Sequence, residues 1–147
     1  MKMSRLFILA VLVVACATVV CAGHDKPITV SQLPTKSQQF IKTHFAGKKI
    51  ALVKKERELI GSTYDVIFTN GDKVEFGRNG DWTEVKCAAG KVPTAIVPKE
   101  ILQYVRENYS DSHIMQIEQN TLYYEIDLSN RVEIKFNKKF QVVDIDY

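Results

Sequence analysis

The chain repeats itself. The stretch from Leu33 matches the stretch from Val97 at a constant offset of 64, pairing Leu33-Pro34 with Val97-Pro98, Phe40-Ile41 with Tyr104-Val105, Phe45 with Tyr109, Ile50 with Ile114 and Val53 with Ile117. The match continues across short deletions. Tyr64-Asp65-Val66, Phe68 and Asn70 correspond to Tyr124-Glu125-Ile126, Leu128 and Asn130 at offset 60, Phe76 corresponds to Phe136, and Trp82 corresponds to Phe140 at offset 58. Whatever unit the first half builds, the second half is expected to build again. The join falls near residues 88–92, in a segment punctuated by Gly90 and Pro93. The predicted organisation is a leader over 1–22, a first αβ repeat over 23–88 and a second over 89–147.

Each repeat opens with a helix. Pro34 and Pro98 suit a first helical turn, where the missing N–H costs nothing, and apolar residues then recur at Phe40, Ile41, Phe45 and at Ile101, Tyr104, Val105, Tyr109. The period then switches to two. Tyr64, Val66 and Phe68 alternate with Asp65 and Thr69, Val74 and Phe76 with Lys73 and Glu75, and Ile126 and Leu128 with Glu125 and Asp127. Asn70-Gly71 and Asn79-Gly80 supply the positive-φ residues that tight hairpins need. The expected fold class is α+β: about eight antiparallel strands in one curved sheet, with two helices on one face.

Clean alternation means that each sheet is covered on one side only, by its own helix. The open face is predicted to carry Asp65, Ile67, Glu75, Trp82, Glu84, Tyr123, Glu125, Asp127, Glu133, Lys135 and Phe140. Trp82 and Phe140 are assigned there because Val85 and Val143 have the opposite parity and belong inside. A bulge would reverse that assignment. The first strand of each repeat, around Ala51 and Met115, has no clean alternation, and its register stays open.

The segments QLP…QQFIKTHF, YDVIFTNGDKVEFGRNGDWTEV, VPKEILQYVRENY and YYEIDLSNRVEIKF resemble the PepSY-like, beta-lactamase-inhibitor-like family of exported bacterial proteins. The resemblance spans nearly the whole chain after the leader and rests on the Leu-Pro and Val-Pro helix starts, the Asn-Gly hairpin and the Gly-Asp-Trp turn. It implies that both repeats join in one sheet with the helices on its convex side. It also implies a relation to proteins that inhibit enzymes by laying an aromatic-bearing sheet face on them. The Asn130-Arg131 turn departs from the pattern, because it lacks the glycine of the first repeat.

The leader, MKMSRLFILAVLVVACATVVCAG, has a short basic start at Lys2 and Arg5 followed by an apolar run too short to span a bilayer, as in a secretory signal peptide. Two processing routes fit. Val20-Cys21-Ala22 suits simple cleavage before Gly23, whereas Val13-Val14-Ala15-Cys16 resembles a lipobox in which Cys16 is lipidated. Simple cleavage is preferred, since the residues after Cys16 are more apolar than the usual tether. Either way the expected location is periplasmic or secreted, with a lipid-anchored form as the variant. Without Lys2 and Arg5, 18 basic residues face 17 acidic ones, and the charge argument for a nucleic-acid partner disappears. Cys87 is the cysteine left after simple cleavage, so no disulfide framework is expected.

No catalytic or metal signature emerges. His24, His44 and His113 are scattered, no His-Glu-x-x-His or Cys-x-x-Cys spacing occurs, and Cys87 closes a strand at a parity that suits a small buried residue. Glu125 and Asp127 lie on one strand face, where calcium or acid–base work competes with plain solvation. The clusters Lys48-Lys49, Lys54-Lys55-Arg57 and Lys138-Lys139 could meet an anionic partner, although such lysines more often keep sheet edges and turns soluble. Neither enzyme chemistry nor a cofactor is expected. Eight strands of about five residues present about 650 Å², close to the roughly 800 Å² per partner of a standard interface. The expected function is protein binding, including enzyme inhibition, through Trp82, Phe140, Tyr123, Ile67, Asp65, Glu75, Glu125 and Asp127. The alternative is a small-ligand or cation binder using the acidic face.

Overall fold

In the computed structural model, the structure describes residues 25–58 and 61–147. The leader, its cleavage sites, Cys16 and His24 lie outside the described residues. The chain forms a two-residue strand β1 (Lys26–Pro27), a 3-10 turn (Val30–Gln32), α1 (Thr35–His44), β2 (Ile50–Glu58), β3 (Gly61–Phe68), β4 (Lys73–Phe76) and β5 (Trp82–Lys86). It continues with α2 (Lys99–Asn108), β6 (Ile114–Gln119), β7 (Tyr123–Leu128), β8 (Glu133–Asn137) and β9 (Val142–Asp146). The nine strands make one antiparallel sheet in sequence order. The count is nine rather than about eight because Lys26 and Pro27 add a short strand to the edge of β2.

Side-chain alternation makes the two faces chemically different. Val53, Val66, Val74, Val85, Ile117, Ile126, Ile134 and Ile145 are register partners in one unbroken row across eight strands. All but Ile145, which is half-buried, lie in the core. Each such side chain removed from water contributes about 1.5–3 kcal/mol, which is what holds the register. Both helices lie over this face. Phe40 of α1 meets Phe76 edge-on at 5.6 Å and 85°, and Tyr104 of α2 meets Phe136 at 5.4 Å and 86°. Pro34 and Pro98 are the residues immediately before the helices, one position earlier than a first-turn proline.

Two pairs of turns share a hydrogen-bond pattern and a left-handed residue. Gly71 N–H donates to Phe68 O at 3.0 Å, and Arg131 N–H donates to Leu128 O at the same distance, so Arg131 takes the glycine's place with φ of 70°. In the β4–β5 turn, Gly80 (φ 81°) donates to Gly77 O; in the β8–β9 turn, Phe140 (φ 60°) donates to Asn137 O. Phe140 therefore corresponds to Gly80 and Val142 to Trp82. This corrects the expected Trp82–Phe140 match, because the offset stays at 60 to the end of the sheet.

Two bulges also correct the predicted faces. The register shifts between Glu75 and Phe76 against β5, so that Glu75 opposes Glu84 while Phe76 opposes Trp82. Trp82 is thereby turned to the helix side, where it lies 6.4 Å from Phe40. The matching bulge between Lys135 and Phe136 leaves Val143 exposed and sends Val142 and Ile145 inward. Phe140 stacks on Tyr124 at 5.7 Å, and Tyr124 opposes Phe136 on the helix side. Neither Trp82 nor Phe140 is on the open face.

Candidate functional site

The open face is built by the residues that alternate with the core row. Lys54, Asp65, Glu75, Glu84, Glu118, Glu125, Lys135 and Asp144 are successive register partners across eight strands. Five adjacent strands, β3 to β7, thus each place a carboxylate in one row. A second row, one strand-pleat along, runs Leu52, Ile67, Lys73, Lys86, Gln116, Asp127, Glu133 and Asp146. Antiparallel neighbours lie about 4.8 Å apart, so these are like charges set side by side, an arrangement that opposes folding.

Lysines answer the acids unevenly. Lys54 binds Asp65 at 3.3 Å, Asp25 at 3.0 Å and Glu56, and this company holds its pKa well above the ordinary lysine value. Lys73 reaches Asp65 at 3.6 Å, Glu75 at 3.5 Å and Glu84 at 3.6 Å. Burial opposes the charge on Lys73, yet the three carboxylates outweigh it and raise its pKa. Lys135 pairs with Glu125 at 2.7 Å and lies over the Tyr123 ring at 4.9 Å.

Glu118, Asp127 and Glu133 form no ion pair among the described residues. Burial, then the neighbouring Glu125, raise the pKa of Glu118, against a hydrogen bond from the Tyr123 hydroxyl at 3.4 Å. Burial and Glu125 likewise raise Asp127, while Glu125, burial and then Asp127 and Asp146 raise Glu133. Lys86 offsets part of the charge of Asp127 and Lys135 pairs with Glu125, so the β6–β8 part of the face carries more carboxylates than cations to answer them.

Of the residues expected at the site, Asp65, Ile67, Glu75, Tyr123, Glu125 and Asp127 share this face, while Trp82 and Phe140 do not. Glu118, at the centre of the row, escaped the sequence reading. The bulge between Ile114 and Gln116 hides the alternation of β6. Its signal was present at Ile117, whose match to Val53 fixes the parity of the next residue.

The remaining reactive groups are accounted for by packing. Cys87 is buried, and burial followed by the Asp72 charge pushes its thiol pKa up, opposite to what a nucleophile needs. Asp72 is also buried and accepts hydrogen bonds from Lys48, from Asn70 Nδ2 at 2.9 Å and from Ala88 N–H at 3.0 Å. His44 packs on the Phe40 ring at 4.7 Å, and His113 precedes β6. Among the described residues, no three carboxylate, imidazole or thiol groups converge on one point as metal ligands would.

Residues 62–144 match the PepSY-like family, provisionally described as beta-lactamase-inhibitor-like. The fold is shared with three crystal structures from Bacteroides. A protein from Bacteroides vulgatus, provisionally described as periplasmic, is 52% identical, with a TM-score of 0.84 over 86% of this chain and 99% of the other. One from Bacteroides thetaiotaomicron, provisionally described as a calcium-regulated periplasmic protein, is 50% identical, with a TM-score of 0.82 over 84% and 97%. A second Bacteroides vulgatus protein, described provisionally as periplasmic and of unknown function, is 30% identical, with a TM-score of 0.79 over 84% and 99%. Among curated proteins none matches the chain.

Proposed function

This chain belongs to the PepSY-like family of periplasmic proteins, and on that premise we propose that it is a non-catalytic binding protein whose open sheet face engages a basic surface on a protein partner. The observation that carries this reading is the row Asp65, Glu75, Glu84, Glu118, Glu125. Lys54, Lys73 and Lys135 answer four of these acids, but Glu118 stands among them with no ion pair among the described residues, and a basic ligand would relieve that cost. Ile67 and Tyr123 add apolar contact beside the acids, and a positively charged partner gains both attraction and faster encounter. The family description makes an enzyme one class of target. We also infer that the two halves are copies of one unit, so the face was assembled by joining two smaller ones.

The experiment compares wild type with the triple variant Glu84→Gln, Glu118→Gln, Glu125→Gln, after circular dichroism establishes that both fold. Capture from periplasmic extract of a basic protein by the wild type, lost in the variant and released by about 0.3 M salt, supports the reading. Equal capture by both forms overturns it.

A second reading is favoured by the 50%-identical relative described as calcium-regulated. Carboxylate oxygens suit calcium, but here they stand in file rather than around a point, so the row does not form a ready cage. A rise in melting temperature on adding calcium to wild type, absent in the triple variant, would favour this reading over a protein partner.

A further inference from the structure

The helix-side face of the opposite sheet edge carries a second charged feature of the other sign. Alternation in β2 sorts its charges: Lys54, Glu56 and Glu58 turn to the open face, whereas Lys55 and Arg57 share the side of Val53. Lys26 of β1 is the direct register partner of Lys55, so two ammonium groups oppose one another across a strand pair. Like charges directly opposite are destabilising, and the acids that would answer them are on the other face, with Asp25 and Glu56 both bound to Lys54. Among the described residues, Lys26, Lys55 and Arg57 enter no ion pair, the ion-paired cations being Lys36, Lys48, Lys54, Lys73 and Lys135.

These three side chains line a cavity of about 230 Å³ together with Ile28 and Gln32. Gln32 of the 3-10 turn forms part of its wall. Gln32 Oε1 accepts hydrogen bonds from Thr29 N–H at 2.9 Å and from the Thr29 hydroxyl at 3.2 Å, which anchors the amide and leaves its NH₂ group to donate. Lys55 is steadied over the Tyr64 ring at 5.6 Å. Lys26, Gln32 and Arg57 are exposed and Lys55 is half-buried, so the site is an open groove at the sheet edge. Here two strands and a turn bring two ammonium groups, a guanidinium and an amide donor to one concavity.

We infer that this cavity binds a phosphate group carried as a dianion, with Arg57 gripping two of its oxygens and Lys26 and Lys55 neutralising the charge. A planar guanidinium matches the oxygen spacing of phosphate, and two flanking ammonium groups favour a dianion over a carboxylate. The site is independent of the acidic face, which lies on the other side of the sheet.

The test uses the processed full chain and inorganic phosphate as the probe, followed by ³¹P line broadening at fixed ionic strength. Wild type is expected to broaden the signal, and the variant Lys26→Gln, Lys55→Gln, Arg57→Gln to bind at least about tenfold more weakly while melting no lower than wild type, since like-charge repulsion is removed. Should that variant fail to fold, Lys55→Gln alone is read in its place. A parallel arm pellets the protein with vesicles of phosphatidic acid in phosphatidylcholine, against phosphatidylcholine alone. Phosphate binding with selective pelleting identifies a lipid headgroup as the source; phosphate binding without pelleting identifies a soluble phosphate compound. No broadening by wild type, or equal broadening by wild type and variant, overturns the inference.

Discussion

Asp72 occupies a buried position where the second half of the chain, 60 residues on, has Val132. Burial alone would raise its pKa, but the hydrogen bonds from Lys48, Asn70 and the Ala88 N–H outweigh that and hold the carboxyl below its ordinary value. Its stabilising effect is therefore complete above the unfolded carboxylate pKa of about 3.9 and disappears as pH falls through the lower folded value. Asp72→Asn keeps the shape and loses the charge pairing with Lys48. It is expected to cost about 1–3 kcal/mol, read as a lower urea midpoint with an unchanged slope. Arg131 gives the opposite expectation. It is exposed and held at φ 70°, where a side chain is strained, so Arg131→Gly is expected to stabilise by about 0.5–1 kcal/mol in the same assay. Gly71, its counterpart, has φ of 87° and would bring a new Cβ within 3.2 Å of Ala88, so Gly71→Ala is expected to destabilise.

At the level of elements, α1 and the β4–β5 turn depend on one another. A Cβ on Gly80 would meet Pro34 at 2.8 Å, and the buried Ser37 hydroxyl donates to Gly80 O at 3.1 Å. Gly80→Ala is thus expected to push the helix start off the turn and lower stability by about 2 kcal/mol, measured by thermal melting, through strain at φ 81° as well as the clash. The same turn marks the boundary of what the sequence discloses. Helix starts, strand parity in β3, β4 and β7, the helix-covered face and most of the acidic face were legible, because period-two alternation survives wherever pairing is regular. Trp82 was misplaced because the extra residue of a bulge, Thr83, lies between it and Val85, Val143 because it is itself the extra residue of the matching bulge, and Phe140 because it sits in the β8–β9 turn rather than in a strand. Gly80 and Phe140 share no chemistry, only a left-handed backbone, so side-chain matching aligned the phenylalanine with the wrong partner. Glu118 was lost to a further bulge, inside β6.

Across the whole molecule, the acidic sheet face and the buried Asp72 place opposite demands on pH. Glu118, Asp127 and Glu133 have folded pKa values above their ordinary ones, so the folded state takes up protons and stability falls as pH rises through that window. Below it, protonation of Asp72 works against folding. The melting temperature is accordingly expected to be higher near pH 5 than at pH 7 and to drop again below about pH 4. In Glu118→Gln the rise from pH 7 to pH 5 should be smaller, with about 0.5 kcal/mol more stability at pH 7. Flat behaviour between pH 7 and 5 would contradict the account of the acidic row. Cys87, sealed behind the sheet with a raised thiol pKa, has a consequence of its own in an oxidising compartment. With only 2% of its surface exposed, that residue reacts with an oxidant or alkylating reagent chiefly through local opening of the fold, so the rate at which the thiol is lost in native buffer reports on such openings. Labelling of the Cys87 thiol in native buffer is accordingly expected to be much slower than in denaturant.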